Sequence, residues 1–255
     1  MNYGSEKYDI ILLAGQSNAQ GSGVGDCDEE YEKDEQIHRM VGERRMEDTW
    51  IVDFPFAISI EIPDSHGRDD FSLAFAHEYK KAGLLKEGRK ILIVHTALGG
   101  TSFSGGHWKV GDYLYKRMMY MLDCALNMNP ENRLVALLWH QGESDALNNN
   151  VGEEYNRQLT EFFTAVSKKY DGEALPIITG DFVQNWIPRH KVECDLIREQ
   201  IRIVTEKFGG VFVNTEGLES NHEAGTRHDD HIHFCRNALH QLGRRYFEAF
   251  KKVHK

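Results

Sequence analysis

Cysteine is scarce in this sequence, and its four copies stand far apart. Cys27, Cys124, Cys194 and Cys235 show no C-x-x-C spacing. This pattern argues against a disulfide framework and against a structural zinc site. We therefore expect reduced thiols and a cytoplasmic location. An N-terminus without a basic, signal-like segment agrees with that expectation.

Long apolar runs and an excess of positive charge are also missing. No hydrophobic stretch approaches the roughly 18 residues that a membrane helix requires. The 40 acidic residues outnumber the 30 lysines and arginines, which gives a formal charge of −10, and the basic residues are scattered. Because a nucleic-acid backbone selects clustered positive charge, we expect neither nucleic acid nor a membrane as a partner. The sequence leaves the oligomeric state open.

Proline is rare as well, and no repeat or low-complexity tract divides the 255 residues. We therefore predict a single domain over residues 1–255. Within it, five short runs rich in Ile, Val and Leu have the composition of buried strands. They cover residues 8–14, 90–97, 134–140, 176–182 and 210–214.

Stretches with a helical spacing of apolar residues follow or separate these runs. They cover residues 71–82, 113–128, 153–170, 189–208 and 236–253. Alternation of strands with helices favours a parallel sheet with right-handed crossovers. The predicted fold is an α/β three-layer sandwich with a central parallel sheet of about five strands, and ligands bind beyond the carboxyl ends of such strands.

Ser17 follows the first predicted strand, in the motif GQSN at residues 15–18. A serine at a sharp turn from strand to helix exposes its hydroxyl and presents its backbone N–H at the start of a helix. This placement suits a nucleophile. A helix N-cap is the alternative, and the motif alone does not decide between them.

Asp230 and His233 lie just ahead of the last predicted helix, in the segment HDDHIHF. A nucleophilic serine needs a base, and that base needs a carboxylate on its other ring nitrogen. The Asp-x-x-His spacing lets the carboxylate fold back onto the imidazole. Two alternatives stay open: His228, His231 and His233 bind a metal, or the segment is simply a polar loop.

Polar clusters also follow the second and third predicted strands. The Gly99-Gly100 pair permits close backbone approach and can present an N–H to a ligand. Gln141, in the motif HQGES, can donate a hydrogen bond to an oxyanion without adding a charge. Taken singly, Gln141 and Glu143 are equally compatible with hydrogen-bonded loop residues.

Three further features are candidates for a substrate site or can be set aside. Trp108 and Trp186 are candidate walls of a sugar site, although core packing is the simpler explanation for either tryptophan. Residues 41–70 lack clean periodicity and are long for a connection, so we expect them to form a rim of the active site. The glycine-rich segment 21–25 lacks the lysine and the spacing of a phosphate-binding loop.

Four blocks together resemble, in order and spacing, those of the SGNH hydrolase superfamily: GQSNA at 15–19, GGT at 99–101, HQGE at 140–143 and D-x-x-HF at 230–234. More narrowly, they are similar to the sialate O-acetylesterase and acetylxylan esterase family, also called carbohydrate esterase family six. The resemblance extends over residues 10–250 and implies the flavodoxin-like SGNH fold. It also implies Ser17 as nucleophile, His233 as general base and Asp230 as the acid that orients the base.

The same resemblance implies an oxyanion hole built from the backbone N–H groups of Ser17 and Gly100 and the side chain of Gln141. Asn18 is a supporting residue, and Glu143 either supports the site or replaces Asp230. The implied reaction removes O-acetyl groups from carbohydrates through an acetyl-enzyme, with neither cofactor nor metal. Xylooligosaccharides and sialic acids are the candidate substrates. A general short-acyl esterase and a catalytically silent carbohydrate-binding protein are the alternatives.

Overall fold

The structure is a computed structural model that describes residues 3–42, 56–66 and 70–254. A single sheet of seven strands crosses the described part of the chain. Its strands are β1 (Lys7–Gly15), β2 (Ile37–Gly42), β3 (Ile58–Glu61), β4 (Arg89–His95), β5 (Arg133–His140), β6 (Ile177–Gly180) and β7 (Val211–Val213). Their order in the sheet is β3-β2-β4-β1-β5-β6-β7.

Within the described ranges, five long helices connect or follow these strands, and two short ones start at strand ends. They are α1 (Ser17–Gln20), α2 (Phe71–Lys81), α3 (Tyr113–Asn127), α4 (Glu143–Leu147), α5 (Gly152–Ser167), α6 (Lys191–Lys207) and α7 (Arg236–Val253). None of the helices among the described residues combines the length and apolarity needed to span a bilayer. The four cysteines all lie within the described ranges, and none of them forms a disulfide.

The predicted α/β fold is confirmed, with a larger sheet than expected. The five predicted strands are β1, β4, β5, β6 and β7, and all of their pairings are parallel. Eight of the nine residues of β1 are buried, as expected for a central strand covered on both faces.

Two strands that the sequence did not reveal extend one edge of the sheet. β2 pairs parallel with β4, and β3 pairs antiparallel with β2. Among the described residues, β3 lies at the edge of the sheet and pairs only with β2, and its residues alternate between half-buried and exposed because successive side chains point to opposite faces. Of the predicted rim at 41–70, residues 43–55 and 67–69 lie outside the described residues, and part of the remainder forms β2 and β3.

Helices α2 and α7 pack against each other so closely that one position tolerates only glycine. A Cβ atom at Gly243 of α7 would overlap the carbonyl oxygen of Phe71, and it would lie 2.7 Å from the Cβ of Ala74. A backbone oxygen cannot move aside as the end of a flexible side chain can. The contact therefore depends on the missing side chain.

We expect Gly243→Ala to destabilise the protein by about 1 to 3 kcal/mol, because overpacking outweighs the gain in helix propensity of up to about 1 kcal/mol. Urea unfolding measures the difference. Glu248→Ala, on the exposed side of the same helix, is the matched control and should stay within about 0.5 kcal/mol of the wild type. A stabilised Gly243→Ala variant would contradict this account of the packing.

Candidate active site

Ser17 lies at a turn that the end of β1 imposes on the chain. Gly15 has a φ of +134°, and a Cβ atom there would overlap the carbonyl oxygen of His140 on the neighbouring strand. The same carbonyl accepts a 2.9 Å hydrogen bond from the N–H of Gln16. Ser17 then begins α1, where its N–H has no partner within the helix. The residue is 7% exposed, so it is mostly buried but retains some contact with solvent.

Asp230 and His233 form a hydrogen-bonded pair. Asp230 Oδ1 lies 2.8 Å from His233 Nδ1, and Asp230 Oδ2 accepts a 2.8 Å hydrogen bond from the side-chain amide of Asn221. With Nδ1–H donating to the carboxylate, the other ring nitrogen, Nε2, can accept a proton. Arg227 Nη1 lies 3.7 Å from Asp230 Oδ2 and adds positive charge beside the carboxylate.

Asn18 connects the serine turn to the histidine segment. Its side-chain amide donates to the carbonyl of Ile232 at 3.0 Å, and its Oδ1 accepts from the N–H of Phe234 at 3.0 Å. These two backbone groups flank His233 in the sequence. The structure therefore brings the neighbourhoods of Ser17 and His233 together through the residue that follows Ser17.

The Gly99-Gly100 turn lies against Ser17. A Cβ atom at Gly99 would sit 3.3 Å from the Cβ of Ser17, and the Gly99 N–H donates to Gln20 Oε1 at 2.6 Å. Among the described residues, no acceptor receives a hydrogen bond from the N–H of Gly100. This donor is therefore available next to the serine.

Gln141 lies in the same cluster of strand ends, and its side chain is already hydrogen-bonded. Its Nε2 donates to Asp145 Oδ2 at 2.8 Å and more weakly to Gln16 Oε1 at 3.3 Å. Its Oε1 accepts from the hydroxyl of Tyr155 at 3.2 Å. Gln141 is almost fully buried, so these contacts hold its amide in one orientation.

Asp145 organises this side of the site, a role that the sequence did not indicate. Besides Gln141, its buried carboxylate accepts hydrogen bonds from the N–H groups of Phe103 and Ser104, at 2.8 and 3.0 Å, and from the amide of Asn150 at 2.7 Å. It thereby ties the loop after Gly100 to the HQGES segment. The only available signal was an acidic residue directly after that motif. Asn221, which supports Asp230, gave no signal at all.

Glu143 and His140 form a buried pair that is not an ion pair. His140 Nε2 lies 3.9 Å from Glu143 Oε1. Burial lowers the pKa of His140 to about 3 and raises the pKa of Glu143 to about 7. Because Tyr246 donates its hydroxyl proton to the carbonyl of Trp139, His140 Nδ1 donates to the Tyr246 oxygen and Nε2 carries no proton.

The two predicted wall tryptophans are both buried. Trp108 is 0% exposed, donates its indole N–H to Thr101 Oγ1 at 2.9 Å and packs edge-on against Trp139. Its prediction as a wall of the sugar site is wrong, because no part of its ring reaches the surface. Trp186 is 4% exposed and packs against Phe182, so it offers little surface to a ligand.

The three histidines considered as metal ligands have separate partners. His228 pairs with Asp229 at 2.8 Å, and His233 pairs with Asp230. His231 lies 2.5 Å from Asn185 Oδ1 through Nδ1 and 2.7 Å from Arg189 through Nε2. A different trio, His222, Asp229 and His231, has its possible ligand atoms within 4.8 Å of one another. In that trio both nitrogens of His231 are already engaged.

Comparisons with known proteins agree with this fold. A probable carbohydrate esterase of Arabidopsis thaliana is 28% identical over 178 residues, which cover 70% of this chain, and the match spans about 62% of that protein's length. The crystal structure of NanS superimposes with a TM-score of 0.75 at 16% identity, covering 97% of this chain and 98% of the other. A carbohydrate acetylesterase from Xanthomonas citri gives 0.64 at 17% identity, covering 96% of this chain and 56% of that one.

A family profile extends the likeness beyond the fold. The family described as "Carbohydrate esterase, sialic acid-specific acetylesterase" matches residues 7–252. This match confirms the resemblance that the four sequence blocks indicated. Because it spans nearly the entire chain, the protein belongs to this family of carbohydrate esterases.

Proposed function

We propose that the protein is a serine esterase that removes O-acetyl groups from carbohydrates. Family membership identifies it more broadly as a hydrolase of ester bonds. The observation that carries the serine mechanism is the 2.8 Å contact between Asp230 and His233, on a segment that Asn18 joins to the Ser17 turn. A nucleophile, a base and an orienting carboxylate are the groups that acyl transfer requires.

In the proposed first step, Ser17 Oγ attacks the acetyl carbonyl carbon while His233 Nε2 takes the hydroxyl proton. Asp230 stabilises the imidazolium that forms. The tetrahedral intermediate then collapses, the bond to the sugar oxygen breaks, and His233 returns the proton to that oxygen. In the second step, water attacks the acetyl-enzyme by the same route, which releases acetate and regenerates Ser17.

The negative oxygen of the intermediate needs donors that point at it before it forms. The N–H groups of Ser17 and Gly100 are supported in this role because neither donates a hydrogen bond to another described group. Gln141 is the proposed third donor. Its N–H toward Gln16, at 3.3 Å, makes the weaker of its two main contacts and is therefore the one that an oxyanion can accept without the amide changing orientation.

Asp230 is the proposed orienting acid in preference to Glu143. Asp230 contacts His233 directly, whereas Glu143 contacts Asn18 and lies near His140. With its pKa raised to about 7 by burial, Glu143 is largely uncharged below neutral pH and stabilises an imidazolium poorly.

The proposed substrate is an acetylated sugar, and the family description favours a sialic acid over a xylooligosaccharide. Acetate release from acetylated sialic acids, acetylated xylooligosaccharides and a simple aryl acetate distinguishes these substrates. Similar rates on all three would favour a general short-acyl esterase. A wild-type protein that binds sugar and releases no acetate would favour the carbohydrate-binding alternative.

We expect Ser17→Ala to abolish acetate release, because the hydroxyl is the proposed nucleophile and the substitution removes that one oxygen atom while keeping the Cβ that packs against the Gly99 turn. Loss of such a residue typically lowers kcat by a factor of about 10⁶. Ser22→Ala, in the loop that follows α1, is the matched control and should retain wild-type activity. A Ser17→Ala variant that keeps more than about one per cent of kcat would contradict the assignment.

The two candidate acids are separated by their amide variants. We expect Asp230→Asn to lower kcat by about 10⁴, because an amide no longer holds the imidazole in the required tautomer. Glu143→Gln keeps an oxygen for Asn18 and should stay within about tenfold of wild type, since a typical neutral hydrogen bond contributes about 1 kcal/mol. Steady-state kinetics of both variants test the choice, and the reverse order of losses would assign Glu143 as the acid.

Glu143 should also make stability depend on pH. Its pKa rises from an ordinary 4.5 to about 7 on folding, so its contribution is fully present below about pH 4.5 and is lost as the pH rises through 7. Between pH 5 and pH 8 we expect wild type to lose up to about 3 kcal/mol of unfolding free energy relative to Glu143→Gln. Urea unfolding at both pH values measures this loss. Parallel pH dependence of the two proteins would contradict a buried, neutral Glu143.

A further inference from the structure

The segment that carries His233 lies outside the regular sheet. It belongs to the connection between β7 and α7, where Ser220 and Phe234 form an isolated antiparallel bridge. Ser17, by contrast, follows the central strand of the sheet directly. The backbone hydrogen bonds of the histidine segment run to a neighbouring loop, since the N–H of Asn221 donates to the carbonyl of His233 at 2.9 Å. Backbone pairing in the sheet therefore positions the serine, and the side chain of Asn18 joins the histidine segment to the serine turn.

Asn18 is placed to make this connection. It is 0% exposed, and both polar atoms of its side-chain amide make hydrogen bonds to this segment. The NH₂ group donates to the carbonyl of Ile232, and Oδ1 accepts from the N–H of Phe234. One side chain thus holds the peptide groups on both sides of His233. A carboxylate in its place would only accept hydrogen bonds, and it would repel the carbonyl of Ile232.

Glu143 makes a third hydrogen bond to the Asn18 side-chain amide. Its Oε1 accepts the second N–H of Asn18 at 2.8 Å. Its own carboxyl group is fully buried, and Oε2 has no hydrogen-bond partner among the described residues. A buried carboxyl with one good contact is costly to keep. The contact with Asn18 is therefore the one that accounts for a carboxyl at this position.

We propose that Asn18 is the positioning residue that sets His233 against Ser17, and that Glu143 is the anchor that orients the Asn18 amide. The proposal rests on the esterase mechanism proposed above, in which Asn18 and Glu143 act through His233 without touching the substrate. A shift of about 1 Å in a catalytic group can cost about a hundredfold in rate. The expected signature is therefore a loss in kcat with little change in KM.

The test reverses the donor and the acceptor of the hydrogen bond between Asn18 and Glu143. Asn18→Asp alone sets two carboxyl groups against each other and removes the donor to Ile232, so we expect kcat to fall about a hundredfold, with KM within about threefold. In the double variant Asn18→Asp/Glu143→Gln, the new amide donates to the new carboxylate. We expect that variant to recover at least about tenfold over Asn18→Asp, equivalent to about 1.4 kcal/mol of coupling.

Asn132 provides a matched control. It is also a buried asparagine that joins two backbone groups, since its Oδ1 accepts from the N–H of Tyr8 at 2.7 Å and its Nδ2 donates to the carbonyl of Ala125 at 2.8 Å. It lies beside the starts of β1 and β5, at the opposite edge of the sheet from Ser17. Asn132→Asp should lower stability, with kcat within about twofold of wild type, because it disturbs no contact of His233.

A second readout does not depend on activity. The Nδ1 proton of His233, bonded to Asp230, gives a downfield NMR signal that can be assigned by its loss in His233→Gln. We expect this signal to broaden or move in Asn18→Asp, to return in the double variant and to stay unchanged in Asn132→Asp. If the wild type shows the signal and releases no acetate, the esterase proposal fails while the positioning of His233 is still tested.

The proposal is overturned if the double variant is no better than Asn18→Asp in both kcat and the NMR signal, or if Asn132→Asp disturbs His233 equally. If Asn18→Asp does not fold, the double variant alone tests whether Glu143 anchors residue 18. Recovery of a folded protein with the wild-type His233 signal supports the anchor, and continued failure to fold overturns it.

Discussion

The parallel pairing of β1 with β4 on one side and β5 on the other is the constraint on which the proposed site depends. Strands that run in the same direction end at the same edge, so Gly15 lies opposite His140, and the turn after β4 lies against Ser17. This arrangement needs no contact between catalytic side chains. Buried backbone groups must be paired, and the ladder that pairs them also aligns the strand ends.

Outside the sheet, buried side chains position the loops that carry the proposed site residues. Asn18 holds the histidine segment, and Asp145 holds the loop after Gly100 against Gln141. Both are fully buried, and burial of a polar group is costly unless its hydrogen bonds are made. The same penalty makes each arrangement well defined, because any displacement leaves buried donors or acceptors unpaired.

Asp230 and Glu143, the two candidates for the orienting acid, lie in different electrostatic environments. Asp230 lies at the edge of the site, with an imidazole and an amide on its two oxygens and a guanidinium nearby. Glu143 lies in the interior beside a neutral His140, where the ionised form loses its hydration. One carboxyl group is thus suited to stabilise an imidazolium, and the other to orient a neutral amide.

The sequence by itself determined the five parallel strands and the five long helices, because periodicity is a property of neighbouring residues. The Asp-x-x-His spacing allowed a contact between Asp230 and His233, and the structure shows that contact. Only the tertiary structure decided what depends on distant partners. β2 and β3 are strands because they pair at the edge of the sheet. Trp108 is buried because aromatic residues such as Trp139 pack around it, and the Gln141 amide donates to Asp145. The contacts of Asn18 with the backbone of Ile232 and Phe234 join positions more than 200 residues apart in the chain, and no local pattern encodes a hydrogen bond across such a separation.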